Sequence, residues 1–444
     1  MSARRLLILC YFYPPLAGGG VHRVLGFTRH LPAHGWACTV VCAGEEDYWV
    51  RDETLARAVP AGTEVIRASG GSALAAWLRL GRGRSTARRS RRAFAGLRAL
   101  SDWWLLPDSY VGWAGRAARA AARRIARGGV DAVLSSSPPD SAHLAGLALR
   151  RRFRLPWVVD FRDPWVGLQF RTPPTRWHRA RQAAMERSVL ASADLVLAAS
   201  RTHADDLRRR SAGTGGADAV TLSGRLEHLP NGYEPVVGAT DPDPVATVDP
   251  ASASFFTLVF TGTISQMPGT DVFLESLHDL LARRPEARRR VRAHLAGPFE
   301  GSHADRATAL GLTGIVRFTG PLAHGPTREL QRRADLLLLW KPRGAGYRTM
   351  VPGKLYEYFD AGTPVLAMLE ADDEAAGLVR LAGGEVVPPG DRAPLTDAIE
   401  RRYLAWKDGH RGRAPRPAWL DEHTRAALAA RLAGLLDGLP RDGA

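Results

Sequence analysis

Long hydrophobic runs, cysteine and lysine are all scarce in this sequence. The longest apolar stretches, Leu6 to Tyr13 and Leu336 to Trp340, fall far short of the ~20 residues that a bilayer-spanning helix needs. Arg4-Arg5 followed by Leu6 to Tyr13 imitates the start of a signal peptide. Pro14-Pro15 and the glycines beyond it fit a strand's end better than a small-residue cleavage site, so a cytoplasmic location is expected. The only cysteines are Cys10, Cys38 and Cys42. They stand in apolar, strand-like contexts without Cys-x-x-Cys spacing, which favours buried reduced thiols over a disulfide or a metal site. No heptad pattern sustains a coiled coil, and the oligomeric state is left open. Of 61 basic residues only Lys341, Lys354 and Lys407 are lysine. Lysine offers a compact point charge where arginine imposes a wide planar fork, and two of the three fall within one short stretch.

What is present is an ordinary globular composition, 45% hydrophobic and 24% charged, over 444 residues. That is too long for one core, since cores stop growing beyond about 250–300 residues, and it suits two α/β domains. The net charge of +16 favours an anionic partner without choosing between phosphorylated substrate, anionic membrane and nucleic acid. Short apolar strands are predicted at Leu6 to Tyr13, Thr39 to Cys42, Glu64 to Ala68, Ala132 to Ser135, Trp157 to Asp160 and Leu195 to Ala198. Helical patterns separate most of them, as in a parallel doubly wound sheet. From about Val237 the composition turns to Asp, Pro, Ala and Thr with no hydrophobic period, which reads as a linker. A second series follows at Phe255 to Thr261, Arg292 to Leu295, Val316 to Phe318, Leu336 to Trp340, Val365 to Met368 and Glu385 to Val387. The expected division is residues 1–236, a linker at 237–254, a second domain at 255–405, and a helical segment at 406–444 that returns to the first domain. Between Trp77 and Ile125 the arginines Arg82, Arg84, Arg88, Arg89, Arg91 and Arg92 alternate with Trp103, Trp104, Leu105 and Leu106. This reads either as a solvated helix with aromatic packing or as a membrane-surface contact.

Two constellations carry chemistry. Gly18-Gly19-Gly20 follows the first strand and precedes a helix, where bare backbone can approach a phosphate. The dinucleotide fingerprint is incomplete, because Arg23 stands where its third glycine belongs; Glu45 lies near the place of a ribose-binding acid. The second constellation is Lys341-Pro342-Arg343, Thr349, Pro352-Gly353-Lys354-Leu355-Tyr356-Glu357-Tyr358 and Ala361-Gly362-Thr363-Pro364. It begins at the carboxyl end of a strand, the ligand edge of an open α/β sheet. There Lys341, Arg343 and Lys354 can neutralise a diphosphate, and Glu357 can accept hydrogen bonds from ribose hydroxyls.

Tyr11-Phe12-Tyr13-Pro14-Pro15 with Gly18 to Gly20 and Arg23, Asp160-Phe161-Arg162-Asp163-Pro164-Trp165, Pro230-Asn231-Gly232-Tyr233, Phe260-Thr261-Gly262-Thr263 and Lys354 to Pro364 occur in an order that resembles the family-4 retaining glycosyltransferases along nearly the whole chain. The resemblance implies the GT-B architecture: α/β, two facing Rossmann-like domains with parallel sheets and a C-terminal helix returning to the N-domain. It further implies an acceptor on the N-terminal half, a nucleoside-diphosphate sugar on the C-terminal half, no cofactor, and transfer with retention. Lys354, Lys341 and Asp163 are the expected catalytic residues. Gly18, Gly19, Gly20, Arg343, Thr349 and Glu357 are expected at the donor, and Asp160, Arg162 and Arg23 as orienting groups for acceptor or sugar. The pattern departs from the family in three places. Thr349 stands where many members have a first glutamate, Ser265-Gln266-Met267-Pro268-Gly269 lacks the usual basic residue, and Asp160, Arg162 and Asp163 stand where many relatives have a histidine. No Asp-x-Asp motif stands beside a donor strand, since Asp241-Pro242-Asp243 lies in the linker and Ala371-Asp372-Asp373 follows the glycine-proline turn, so metal independence is expected. Two rivals stay open: a nucleotide-sugar epimerase of the same architecture, and a non-catalytic basic protein that binds membrane or nucleic acid. Base, sugar and acceptor are not legible; antibiotic scaffolds, lipid carriers and polysaccharides are all open as acceptors.

Overall fold

The computed structural model describes residues 4–16, 18–45, 51–70, 103–167, 173–212, 220–235, 254–264, 267–410 and 412–440. The chain divides into two compact units, Met1–Gly232 with Arg425–Ala444, and Tyr233–Thr424. The arginines expected at 82–92 and all but the last residue of the linker read at 237–254 lie outside the described residues.

The first unit is built on seven strands: β1 (Arg4–Leu9), β2 (Trp36–Ala43), β3 (Glu64–Ala68), β4 (Ala132–Ser137), β5 (Trp157–Phe161), β6 (Leu195–Ala198) and β7 (Leu226–His228). They lie parallel in the order β3-β2-β1-β4-β5-β6-β7. Register fixes the faces: Leu6 aligns with Cys38 on one side and Ala132 on the other. Leu7, Leu9, Val41, Val133 and Val159 then share one face, packed by Trp113, Ala117 and Ala121 of the helix Val111–Ala126 and by Ala142 and Ala145 of the helix Ser141–Phe153. Leu6, Ile8, Val40, Leu134 and Val158 share the other, packed by Val24 and Phe27 of the helix His22–His30 and by Leu428, Leu432 and Leu436 of the terminal helix Arg425–Asp437. Because both faces are covered, the strands read as continuous apolar runs and not as alternations.

The second unit has six strands: β8 (Phe256–Thr261), β9 (Val291–Ala296), β10 (Val316–Gly320), β11 (Leu336–Trp340), β12 (Val365–Met368) and β13 (Glu385–Val387). They are parallel in the order β10-β9-β8-β11-β12-β13. Leu258 and Phe260 pack on the helices Gly269–Arg283 and Arg392–Lys407; Val259, Leu337 and Ala367 pack on Leu355, Tyr358 and Phe359 from the opposite side. In both sheets strand order reverses beside the first strand, between β1 and β4 and between β8 and β11. Crossover helices diverge there, and the carboxyl ends of those strands border a ligand crevice.

Two expectations need correction, and one strand was not expected. The first strand stops at Leu9 and not Tyr13, although Cys10 still donates to Val41 and Ala43 to Tyr11. β7, the three residues Leu-Glu-His, has too little apolar character to announce itself. The return to the first unit begins at Arg425 and not at 406, because residues before it belong to the second unit's packing. Ala414 donates to the Gly362 carbonyl at 2.9 Å, Arg413 to Thr363 Oγ1 at 2.9 Å, and Leu420 is fully buried against that core. Glycine is required where the returning helix meets its partner: a Cβ on Gly26 would lie 2.7 Å from Cδ of Arg425. All three cysteines are buried and none forms a disulfide. No helix among the described residues is long and apolar enough to cross a membrane.

Candidate active site

In the second unit the site starts from a stack of rings. Phe260 at the end of β8 lies flat on Trp340 at the end of β11, centroids 4.0 Å apart and planes 13° apart. Above the Phe260 ring, 3.6 Å from its centroid, sits the ammonium of Lys354, which also donates to the Thr261 carbonyl at 2.7 Å. Lys354 as a residue is only half-buried, but its ammonium has little water around it. Burial pulls its pKa from the ordinary 10.5 down to about 7, and the Glu357 carboxylate opposes that shift. The ring face and the carbonyl also favour the charged form. Space for this arrangement comes from glycine. Gly262 has φ +117°, and a Cβ there would lie 3.3 Å from the Lys354 Nζ. Gly297, at the end of β9 with φ +147°, passes so close that its Cβ would fall 1.9 Å from the Gly262 carbonyl oxygen.

Glu357 lies one turn beyond Lys354 in the helix Lys354–Asp360. His324 Nε2 lies 3.0 Å from Oε1, and Gln331 donates to Oε2 at 3.4 Å. Gln331 also donates to Thr261 Oγ1 at 3.1 Å, and Thr261 N donates to the Tyr358 hydroxyl at 2.9 Å. Beneath them the buried Arg328 donates to Gln331 Oε1 at 2.9 Å, to the Glu357 carbonyl at 2.6 Å, and pairs with Asp360. These contacts hold the Glu357 carboxylate in a fixed orientation.

The remaining residues of this loop are placed otherwise. All three protons of the Lys341 ammonium are engaged, by Asp373 Oδ2 at 2.7 Å and by the Tyr347 and Met350 carbonyls at 2.6 Å each. No donor is left for a phosphate. Asp373 in turn caps the helix Glu374–Leu381 through the Ala375 amide, so this lysine fastens two loops together. Arg343 is exposed and bonds the Pro389 carbonyl. Thr349 donates to the Gly346 carbonyl at 2.8 Å. A small pocket opens between Lys341, Arg343, Arg348 and Glu370, but Arg348 is paired with Glu370 and with Asp372.

In the first unit Gly18 and Gly19 are exposed with nothing within 4 Å of where a Cβ would stand, and Gly18 has φ +122°. Their backbone is open to a ligand. The charged residues nearby are not. Arg23 grips the fully buried Asp160 with Nε and Nη2, at 3.0 and 2.8 Å, and spends its other donors on the Pro230 and Leu229 carbonyls. Ser136 donates to Asp160 Oδ2 at 2.7 Å. Burial pushes the Asp160 carboxyl up, but Arg23 and Ser136 outweigh it and hold the pKa below the ordinary carboxylate range. Arg162 bonds the Gly20, Ser137 and Pro138 carbonyls, pinning the glycine loop to the end of β4. Arg23, Asp160 and Arg162 are therefore tie-points that shape the loops. Asp163 is half-buried beside Arg162. Glu45 pairs with Arg51 at 3.3 Å and Arg67 at 3.4 Å, so its carboxylate is not poised for a ribose.

His324 and Gln331 were not singled out by the sequence. They lie with Arg328 at i, i+4 and i+7 of the helix His324–Arg333, a polar stripe on a face that packs inward. That spacing was the available signal, and it resembles any amphipathic helix until burial is known.

Two doubly wound units, one with an open glycine loop and one with a lysine and a glutamate at the carboxyl edge of its sheet, define the GT-B class of sugar-transferring enzymes. The chain belongs to the group 1 glycosyltransferases: residues 256–404 match the model "Glycosyl transferases group 1" and residues 18–222 the "Glycosyl transferase 4-like domain". It is a glycosyltransferase. Among solved structures it resembles Anabaena Alr3699/HepE in complex with UDP and glucose, at 16% identity and TM-score 0.63, covering 98% of this chain and 100% of that one. It also resembles the sucrose-phosphate synthase of Thermosynechococcus elongatus at 16% identity and TM-score 0.65, covering 98% of each chain. A third is WaaG, a glycosyltransferase of lipopolysaccharide biosynthesis, at 16% identity and TM-score 0.59, covering 98% of this chain and 100% of that one. No curated protein matches the sequence.

Proposed function

We propose that the second unit binds a nucleoside-diphosphate sugar at Lys354 and Glu357, and that the chain transfers the sugar to a hydroxyl acceptor held by the first unit. The observation that carries this reading is the division of labour between the two side chains. The Lys354 ammonium, desolvated over Phe260, has one donor on Thr261 and others to offer a diphosphate. The Glu357 carboxylate, held by His324 and Gln331, accepts from ribose hydroxyls. As the anomeric carbon parts from the diphosphate, charge grows on the leaving oxygen, and a cation already stripped of water stabilises it more than one in bulk solvent would. The acceptor oxygen takes the vacated bond and gives up its proton. Gly18 and Gly19 supply open backbone in the first unit.

Retention at the anomeric carbon follows from the family resemblance, and metal independence from a site whose charge compensation comes from lysine. Asp163 is kept as a catalytic candidate and Arg343 and Thr349 as donor contacts; Lys341, Arg23, Asp160 and Arg162 are read as positioning residues. A cytoplasmic setting fits the reduced cysteines. The test is calorimetry of UDP, GDP, TDP and ADP against wild type and Glu357→Ala. One diphosphate bound selectively and lost in the variant supports the donor site, whereas equal affinity in both removes it. Product NMR showing an inverted anomer would reject retention, and activity abolished by EDTA and restored by Mn²⁺ would reject metal independence.

A further inference from the structure

The first unit holds out three indoles. Trp103, Trp104 and Trp177 are 53%, 81% and 64% exposed, and two of them are fixed to one post. His178 is buried, with Nδ1 2.7 Å from Thr175 Oγ1 and Nε2 3.1 Å from the Trp103 carbonyl oxygen. Trp103 and Trp177 both stand edge-to-face on its ring, at 5.3 and 4.9 Å. Thr175 caps the helix Arg176–Ser192 by accepting from the His178 amide, and Gln182 of that helix donates to the Pro107 carbonyl. The segment carrying Trp103 and Trp104 is thereby bound to the helix, and the indoles of Trp103 and Trp177 flank one buried histidine.

The surface around them is basic. Arg176, Arg179, Arg181 and Arg187 are exposed along the same helix, and none has an ion-pair partner among the described residues. Arg176 with Arg179, and Trp177 with Arg181, fall at i,i+3 and i,i+4, the spacings that share a helix face. The only acid in the helix, Glu186, is turned inward and paired with Arg210. Elsewhere ion pairs abound, so a helix with four arginines unpaired among the described residues, beside three exposed indoles, has a face whose complement is both anionic and apolar. A bilayer surface with anionic lipid meets both conditions. Indoles settle at headgroup level, where one part of the ring is dry and the N–H is wet, and exposed arginines are drawn to lipid phosphates. Trp103 and Trp177 meet on one histidine and are not spaced along a groove, which is the form of an interfacial anchor and not of a base-stacking track.

We propose that the face formed by Trp103, Trp104, Trp177 and the arginines of the helix Arg176–Ser192 docks this chain on an anionic membrane surface. The proposal is independent of the donor-site reading. Its test is co-sedimentation of the full chain with vesicles of phosphatidylcholine alone and of equal parts phosphatidylcholine and phosphatidylglycerol. Wild type is expected on the mixed vesicles and not on the neutral ones. Arg176→Gln/Arg179→Gln/Arg181→Gln should weaken binding about a hundredfold, roughly fivefold per arginine. Trp104→Ser/Trp177→Ser should weaken it about tenfold while the melting temperature stays unchanged. If either combination fails to fold, Trp104→Ser and Arg181→Gln alone carry the comparison. Absence of wild-type binding to mixed vesicles, or binding unchanged in these variants, overturns the proposal. So does an equal affinity for a single-stranded oligonucleotide that is lost in the same variants, which would reassign the face to nucleic acid.

Discussion

The carboxyl edges of the two sheets carry charged residues of similar kind and use them oppositely. In the first unit Arg23, Asp160, Ser136 and Arg162 satisfy one another and the loop carbonyls around them; the open surface left over is glycine backbone. In the second, Lys354 spends one donor on the Thr261 carbonyl, and Glu357 is held in orientation by His324 and Gln331. Lys341 and Lys354, thirteen positions apart in one motif, repeat the contrast inside a single unit. One has every proton engaged, the other sits desolvated with donors to spare. A charged residue in a family motif is thus either structural or ligand-facing according to whether its partners already use its whole bonding capacity, and that capacity is not written in the residue's identity.

The contrast breaks most visibly through stability. Replacing Asp160 by Ala leaves Arg23 buried with no counter-charge, and removing one partner of a buried pair costs about 3–5 kcal/mol. Asp160→Ala is therefore expected to lower the denaturation midpoint sharply, as followed by urea unfolding of the first unit's signal. A variant as stable as wild type would show that Arg23 finds other partners and that the pair is not a tie-point. Lys341→Met should behave alike in the second unit, because it strands Asp373, yet the protein that remains folded should bind the donor nucleotide as wild type does. A lost affinity at unchanged stability would return Lys341 to the donor site.

Glu357→Ala is expected to do the reverse. It removes a carboxylate whose hydrogen bonds to ligand hydroxyls, being charge-assisted, are each worth about 1.5–3 kcal/mol, so nucleotide affinity should fall by one to two orders of magnitude, roughly, while the fold persists. His324→Ala, which removes one of the two groups that orient Glu357, should cost less. If His324→Ala were the more damaging of the two, the histidine would itself be the ligand contact.

Much of the fold was legible. β6, β11, β12 and β13 lie where apolar runs between turn residues placed them; the first three are buried along their whole length, and strands covered on both faces announce themselves by composition alone. β7 was not legible, since Leu-Glu-His at a sheet's edge has nothing apolar to repeat. Of the site, Lys354, Glu357 and the glycines were visible as residues at a strand's end. His324 and Gln331 were not, because they reach Glu357 across 33 and 26 positions of chain, and such pairings come from sheet order and not from local pattern. Nor could the sequence tell Lys341 from Lys354, since what separates them is the backbone carbonyls of Tyr347, Met350 and Thr261.

The finest expected effect concerns Lys354 alone, and it has two signs. Its folded pKa, about 7, lies below the ordinary 10.5 because of burial. Between those values the unfolded chain holds a proton that the folded chain has released, so this residue makes stability rise with pH from about 7 to about 10.5. Donor binding runs the other way: a diphosphate attracts the ammonium and not the amine, so affinity should be full below about pH 7 and decline above it. A UDP-sugar is the proper ligand, because its esterified diphosphate has no terminal phosphate ionisation in that range. Calorimetric affinities across pH 6 to 9, about tenfold weaker per unit at the steepest, should flatten in Lys354→Met, and that variant should lose the stability rise as well. A wild-type affinity that does not change with pH would mean that Lys354 stays charged beside Phe260, and that the ring and the Thr261 carbonyl hold the proton more strongly than burial expels it.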